Sequence, residues 1–228
     1  MSAKSHRSAD AAAGLSQQRV VLEAMRLADS EGIDGASMRK LAAALGAGAM
    51  SIYHYVASRE ELLDAMIDVV FTEIDPPPVD RDWQSAMRLR ATSARAALAR
   101  HPWAIGLMES RTTPGPANLR HREAVASCLR NAGFSIVMSA HATWLLDSYV
   151  YGFALQEASL PFETVDELSA MADAVYLPQL PQEEFPYLYE SAAALGASGY
   201  DPASEFAFGL DLVLAALEPL RDSAPRGS

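Results

Sequence analysis

The stretch Ser37 to Tyr55, SMRKLAAALGAGAMSIYHY, constrains this chain more than any other part of it. Ser37 is a good N-cap residue, and Met38 to Leu45 then read as a short helix of strong helix formers. Leu41 and Leu45 lie four apart and share one face. Gly46 falls where that helix must stop and the chain must turn. A second short helix, about residues 49 to 55, carries Ile52 inward. Ala42, Gly46 and Ile52 have the spacing of a helix-turn-helix: Ala42 lets the helices approach, Gly46 tolerates the turn, and Ile52 plugs the angle between them. In that motif the second helix enters the major groove of DNA. On spacing alone a second reading stands beside it, because short Ala-rich helices joined at a glycine also occur in all-helical cores.

The flanks favour the first reading. The helix after the motif begins at Ser58 with Glu61 three residues on, a capping box. Leu62, Leu63, Met66, Ile67 and Val70 follow at helical spacing. The run SMRKLAAALG, then SIYHYV, then SREELLDAM resembles the N-terminal domain of tetracycline-repressor-type (TetR-family) transcription regulators, over roughly residues 16 to 72. The three segments appear in the family's order without gaps. The resemblance implies a homodimer with two such headpieces, released from double-stranded operator DNA when a small-molecule effector enters the C-terminal domain.

Charge is consistent with that picture. The net charge of −11 argues against a protein that coats nucleic acid indiscriminately. Residues 1 to 60 hold seven basic and six acidic residues, net +1, so the remainder carries −12. An acidic body with a near-neutral head suits a protein that presents one end to DNA. No apolar run approaches the ~20 residues that span a bilayer, so no membrane partner is expected. Cys128 is the lone cysteine, which excludes an intrachain disulfide and Cys-rich metal sites. A cytoplasmic protein without cofactor or metal is expected.

Along the chain, residues 1–14 read as a disordered arm and 15–75 as the helix-turn-helix domain, with a first helix at about 16–32 and a linking helix at 59–74. Pro76, Pro77 and Pro78 mark the domain boundary. Residues 79–220 read as a C-terminal ligand-binding and dimerisation domain, and 221–228 as a tail. Helices are expected at 83–100, 119–131, 135–159 and 203–217, with a capping box at Thr164 and Glu167 and a short helix near 184–195. No strand alternation appears, so the fold class is all-α. The helices at 135–159 and 203–217 are apolar on two sides. One reading makes both central core helices; the family pattern instead pairs them with their symmetry mates as a four-helix bundle. An Asp at Leu210 is expected to weaken the dimer if that face meets the partner.

For DNA, the resemblance places a base-reading arginine at Arg39 and a phosphate-contacting cation at Arg59. Gly48, Ala49, Met50 and Ser51 enter the recognition helix, and Ser51, Tyr53, His54 and Tyr55 are candidate polar contacts. Ala49 and Met50 can offer only apolar contacts such as a thymine methyl, so base readout is expected to be sparse. They stand where the tetracycline repressor has Gln-Pro, so its operator does not transfer.

For the effector, Trp103, Met108, Trp144, Tyr149, Tyr151, Phe153 and Gln156 are candidates, each with plain core packing as its alternative. Where the resemblance puts a metal-ligating histidine this chain has Met108, and a thioether is a poor ligand for Mg²⁺. A largely apolar, metal-free effector is expected. Enzyme motifs are absent. The competing function is an all-α binding protein or enzyme whose headpiece is not used on DNA.

Overall fold

Ser16 opens the first helix by accepting a hydrogen bond from the Arg19 amide, and the helix α1, Gln17–Glu31, runs to Gly32. The computed structural model describes residues 15–162, 167, 170–198 and 201–221. The arm at 1–14, residues 222–228 of the tail and the Thr164 end of the expected capping box lie outside the described residues. The described residues are helical, without strands, so the chain is all-α.

The motif forms as its residues require. Ser37 caps α2, Met38–Ala44, by accepting from the Lys40 amide. Gly46 adopts φ 63°, a left-handed conformation that costs glycine nothing. It permits a Schellman closure, in which the Ala47 amide donates to Ala42 O and the Gly46 amide to Ala43 O. Helix α3, Ala49–Ile52, is shorter than the sequence suggests, and Tyr53 to Tyr55 continue as turns. Ile52, Leu41 and Ala42 are buried together, as the motif demands.

Helix α4, Arg59–Thr72, follows the expected capping box with one change. Ser58 accepts from the Glu61 amide, but the Glu61 carboxylate reaches back to the Ala57 amide, one residue before the cap. This linking helix packs on α1 and on α6, Pro116–Asn131. Past the prolines, α5, Trp83–Arg100, is capped by Asp82 and followed by a 3₁₀ helix, Pro102–Leu107. Helix α7, Ile136–Ala158, packs on α5 and α6. Beyond a π-type turn at Ala172–Tyr176 come α8, Pro186–Ser198, and α9, Pro202–Leu217, which lies against α7 and α5.

The two faces of α9 separate clearly. Phe206, Leu210, Leu214 and Leu217 are buried within the subunit, whereas Phe208 is 65% and Leu212 58% exposed. Leu210, 0% exposed, therefore belongs to the internal face, and the test substitution at Leu210 expected from sequence addresses the wrong side of the helix. Helix α7 behaves alike: Leu146 and Val150 point inward, while Trp144 is 70% exposed, with Leu145 and Leu155 also outward.

One carboxylate joins the two halves. Asp68 Oδ1, near the end of α4, accepts from the amides of Ala117 and Asn118 at 2.9 Å each, capping α6. Gly115 fits because a Cβ there would stand 2.3 Å from the Asp68 carboxyl carbon. A helix end left without its cap loses about 1–2 kcal/mol. Asp68→Ala should therefore lower urea-unfolding stability by about that much, while Asp80→Ala, on an exposed loop, should change it by less than about 0.5 kcal/mol.

Candidate functional site

At the headpiece end, the outward residues of the motif stand free. Arg39, Gly48, Ala49, Tyr53 and His54 are exposed, as is Met50 at 76%, and Ser51 and Tyr55 are half-buried. Among the described residues Arg39, Tyr53 and His54 make no side-chain hydrogen bond or ion pair, so their polar groups are available to a partner. Lys40 is different, because its ammonium is paired with Glu31 of α1. Arg59 is half-buried and donates through Nη2 to the Ile33 carbonyl at 3.2 Å, with Asp34 at 3.8 Å, which fixes the start of α4 against the motif.

The junction between headpiece and body is a second polar cluster. His101 Nδ1 lies 2.7 Å from Asp29 of α1, and its Nε2 lies 3.2 Å from Glu73. Trp103 donates to the same Asp29 at 2.6 Å. Burial pushes the Glu73 carboxyl up, but hydrogen bonds from Arg100 and His101 outweigh it and hold it below its ordinary value. On the other side Arg111 donates to Asp64 at 2.5 Å and to Glu60 at 2.7 Å, tying the segment before α6 to the linking helix.

The body's interior holds charge where the sequence suggests only apolar packing. Arg90 is buried on α5 and donates through Nη1 to Asp147 of α7 at 2.6 Å, and through Nε to His121 Nε2 of α6 at 3.0 Å. Burial, reinforced by the charges of Arg90 and Arg122, lowers the His121 pKa to about 3, so the ring is neutral. A guanidinium can only donate, so Nε2 accepts and the ring proton sits on Nδ1. That Nδ1 is the one buried side-chain nitrogen or oxygen without a hydrogen-bond partner among the described residues. Burial raises the Asp147 pKa above its ordinary value, and Arg90 offsets this only in part. Beside them Arg122 donates to Glu109 at 2.9 Å, and Tyr151 donates to Glu109 at 3.4 Å. Burial first, then the charge of Asp147, raises the Tyr151 pKa and keeps its hydroxyl protonated.

These groups enclose a cavity of about 10 Å³, room for about one water, lined among others by Arg90, His121, Asp147, Glu109 and Tyr151. His121 and Phe71, their rings 5.5 Å apart, also line an outer groove of about 420 Å³ between α4 and α6. Of the effector candidates read from sequence, Tyr151 lines the inner cavity and the others lie elsewhere. Trp103 is at the headpiece junction and Met108 is buried in the core. Trp144 and Gln156 face outward. Tyr149 stacks on Phe206 and donates to its carbonyl at 2.8 Å, and Phe153 meets Phe206 edge-on.

Sequence reading missed Arg90, His121, Asp147 and Asp68. A signal existed for two of them. Arg90 falls three after Met87 and four before Ala94, on the inner stripe of its helix. Asp147 is the only acidic residue from Ile136 to Gln156. A charge on a buried stripe needs a partner.

Comparison with known proteins decides what these parts belong to. Residues 21–66 match the family described as "Bacterial regulatory proteins, tetR family", and residues 75–220 match "Tetracyclin repressor-like, C-terminal domain". The chain belongs to the TetR family. This TetR-family regulator is 33% identical over 213 residues to the HTH-type transcriptional repressor DrrR1 of Streptomyces coeruleorubidus, covering 90% of this chain and 78% of that one. It is 26% identical to the tetracycline repressor protein class C of Escherichia coli, covering 91% and 92%. Among solved structures it resembles Streptomyces coelicolor ActR in complex with actinorhodin, with 30% identity, a TM-score of 0.73, and coverage of 92% and 100%. The family and these likenesses identify a DNA-binding, small-molecule-responsive transcriptional repressor.

The buried histidine gives a pH signature. With its folded pKa near 3 and its unfolded value near 6.5, only the unfolded chain takes up this proton as pH falls below 6.5. Stability should therefore fall, by about 2 kcal/mol between pH 7 and pH 5 for this group. His121→Asn should flatten that slope in urea titrations across the range.

Proposed function

We propose that the protein acts in the cytoplasm as a homodimer that holds operator DNA and lets go when an aromatic, metal-free effector enters the body. The single observation that carries the reading is the shared linking helix. Helix α4 is fixed to the motif at Arg59 and Ile33 and to the body at Asp64, Asp68 and Phe71. A shift of the body against α4 must then change where α3 sits. Two half-sites are fixed on a duplex, so altered spacing between two recognition helices costs contacts. Ligand releases DNA only by binding the released arrangement better than the bound one.

Dimerisation is supported by the outward apolar faces. Trp144 and Leu155 on α7, with Phe208, Leu212 and Ala215 on α9, follow helical spacing and are exposed in the single chain. Two such faces from each copy match the helices of a four-helix interface. That ActR is seen with actinorhodin supports a small organic effector for its relative here. The domain division at the triple proline is part of the same reading.

A shift assay on the protein's own upstream DNA, with a salt titration, tests the function; no specific shift would refute it. Arg39→Ala should cost about 1–3 kcal/mol at the operator and relax preference at one base pair. Arg59→Ala should weaken all sequences alike. Equal losses on every sequence for both would make Arg39 a phosphate contact. Sedimentation of Phe208→Asp should show a monomer at micromolar concentration, whereas Leu210→Asp should unfold the chain; a dimeric Phe208→Asp would reject the face.

A further inference from the structure

His101 ends α5 and stands where the ends of α1, α4 and α5 meet. Its backbone is held on both sides, its amide donating to the Ala97 carbonyl at 3.1 Å and its carbonyl accepting from the Ala104 amide at 2.9 Å. From that fixed backbone the ring reaches two carboxylates on different elements. Nδ1 lies 2.7 Å from Asp29 Oδ1 on α1, and Nε2 lies 3.2 Å from each oxygen of Glu73, the residue that ends α4. A carboxylate accepts hydrogen bonds and donates none. A neutral imidazole carries one N–H, so it serves Asp29 or Glu73 and turns a lone pair toward the other. Only the imidazolium donates to both. Against the upward push of burial, hydrogen bonds from Arg100 and His101 keep the Glu73 carboxyl below its ordinary value, so it remains an acceptor.

Asp29 belongs to the headpiece and His101 to the body, so the bridge bears on how the headpiece is held. We propose that protonated His101 clasps α1 to the end of α4, and that loss of the ring proton opens the clasp and resets operator affinity. His101 is then a positioning residue, acting through α1. Among the described residues the charged groups at the ring are Asp29 from α1, Glu73 from the end of α4 and, across Glu73, Arg100 from the ring's own helix. Losing the proton breaks the bridge without stranding either acid. Asp29 keeps the Trp103 indole at 2.6 Å, and Glu73 keeps Arg100 at 2.8 and 3.1 Å. The side chains of Asp29 and Glu73 are 34% and 30% exposed, which gives protons a way in from solvent. The clasped arrangement holds one proton more than the open one, so falling pH favours it and rising pH releases it. The inference rests on the reading of the chain as an operator-binding repressor, and it adds a proton as an input separate from the effector.

The test compares the wild type with three variants of the full chain. His101→Arg keeps donors at every pH, and His101→Phe has none. Glu73→Gln can donate its amide to a neutral ring, which removes the conflict. Across the ring titration, followed by nitrogen-15 spectra of the imidazole, wild-type operator affinity should change by about fivefold or more. It should match His101→Arg at the acid end and His101→Phe at the alkaline end, and the change should vanish in Glu73→Gln. Any slope from the exposed His54 is common to all four proteins and cancels. Without DNA, amide protection at residues 28–31 of α1 should fall as the wild-type ring loses its proton. Should the His101 variants fail to fold, Glu73→Gln and the wild-type exchange data decide. Protection at α1 that ignores the ring, or a Glu73→Gln response equal to that of the wild type, would overturn the proposal. No specific operator shift at any pH, with the change at α1 intact, would refute the repressor reading and leave the clasp standing. Specific operator binding that ignores the ring would keep the repressor reading and refute the switch.

Discussion

The carboxylate of Asp68 is the joint on which the two halves of this protein meet. It belongs to the linking helix, yet it satisfies the first free amides of α6 in the body. Around that point α4 is a lever. At 1.5 Å per residue the arm toward Arg59 is about 14 Å, and the arm toward Thr72 about 6 Å. A rigid α4 pivoting there would carry its motif end about twice as far as its Thr72 end, in the opposite sense, and the Arg111 bonds to Asp64 and Glu60 on the longer arm resist that swing. Arg59, bonded to the Ile33 carbonyl, passes that motion to the loop before α2. The junction at Asp29, His101 and Glu73 ties α1 to the end of the same helix through one imidazole.

The interior charges of the body look costly in isolation. Arg90 and Asp147 give up hydration that their mutual attraction only partly restores, and removing one partner from such a pair typically costs about 3–5 kcal/mol. A core of leucines would serve stability as well. What the cluster adds is orientation: Arg90 dictates the tautomer of His121, and so leaves the ring proton on the buried Nδ1.

Much of the fold was legible because its determinants are local. Ser16, Ser37, Ser58 and Asp82 each cap the helix that follows, and Gly46 turns where periodicity stops. Helix ends and apolar stripes depend on neighbours three or four residues away, and the sequence displays those directly. The interior site was less legible because it joins Arg90, His121 and Asp147 across 31 and 57 residues of chain. Periodicity also shows that α9 has two apolar faces without showing which is covered. Leu210 and Phe208 are equally hydrophobic in the sequence, and only packing against α7 tells them apart. Aromatic content misled in the same way: Tyr149 and Phe153 are consumed by Phe206, not displayed to a cavity.

The pairing of Lys40 with Glu31 carries a consequence for how this headpiece searches a genome. Counterion release grows with each phosphate neutralised, adding about 0.9 to the slope of log affinity against log salt. Lys40 is committed within the protein, and Arg59 shares its guanidinium with a backbone carbonyl. Among the described residues of α2 and α3 that leaves Arg39 as the unpaired cation. Those two helices, with one unpaired cation between them, release few ions from the duplex. Their share of the residence on random DNA should vary only gently with the ionic strength of the cell.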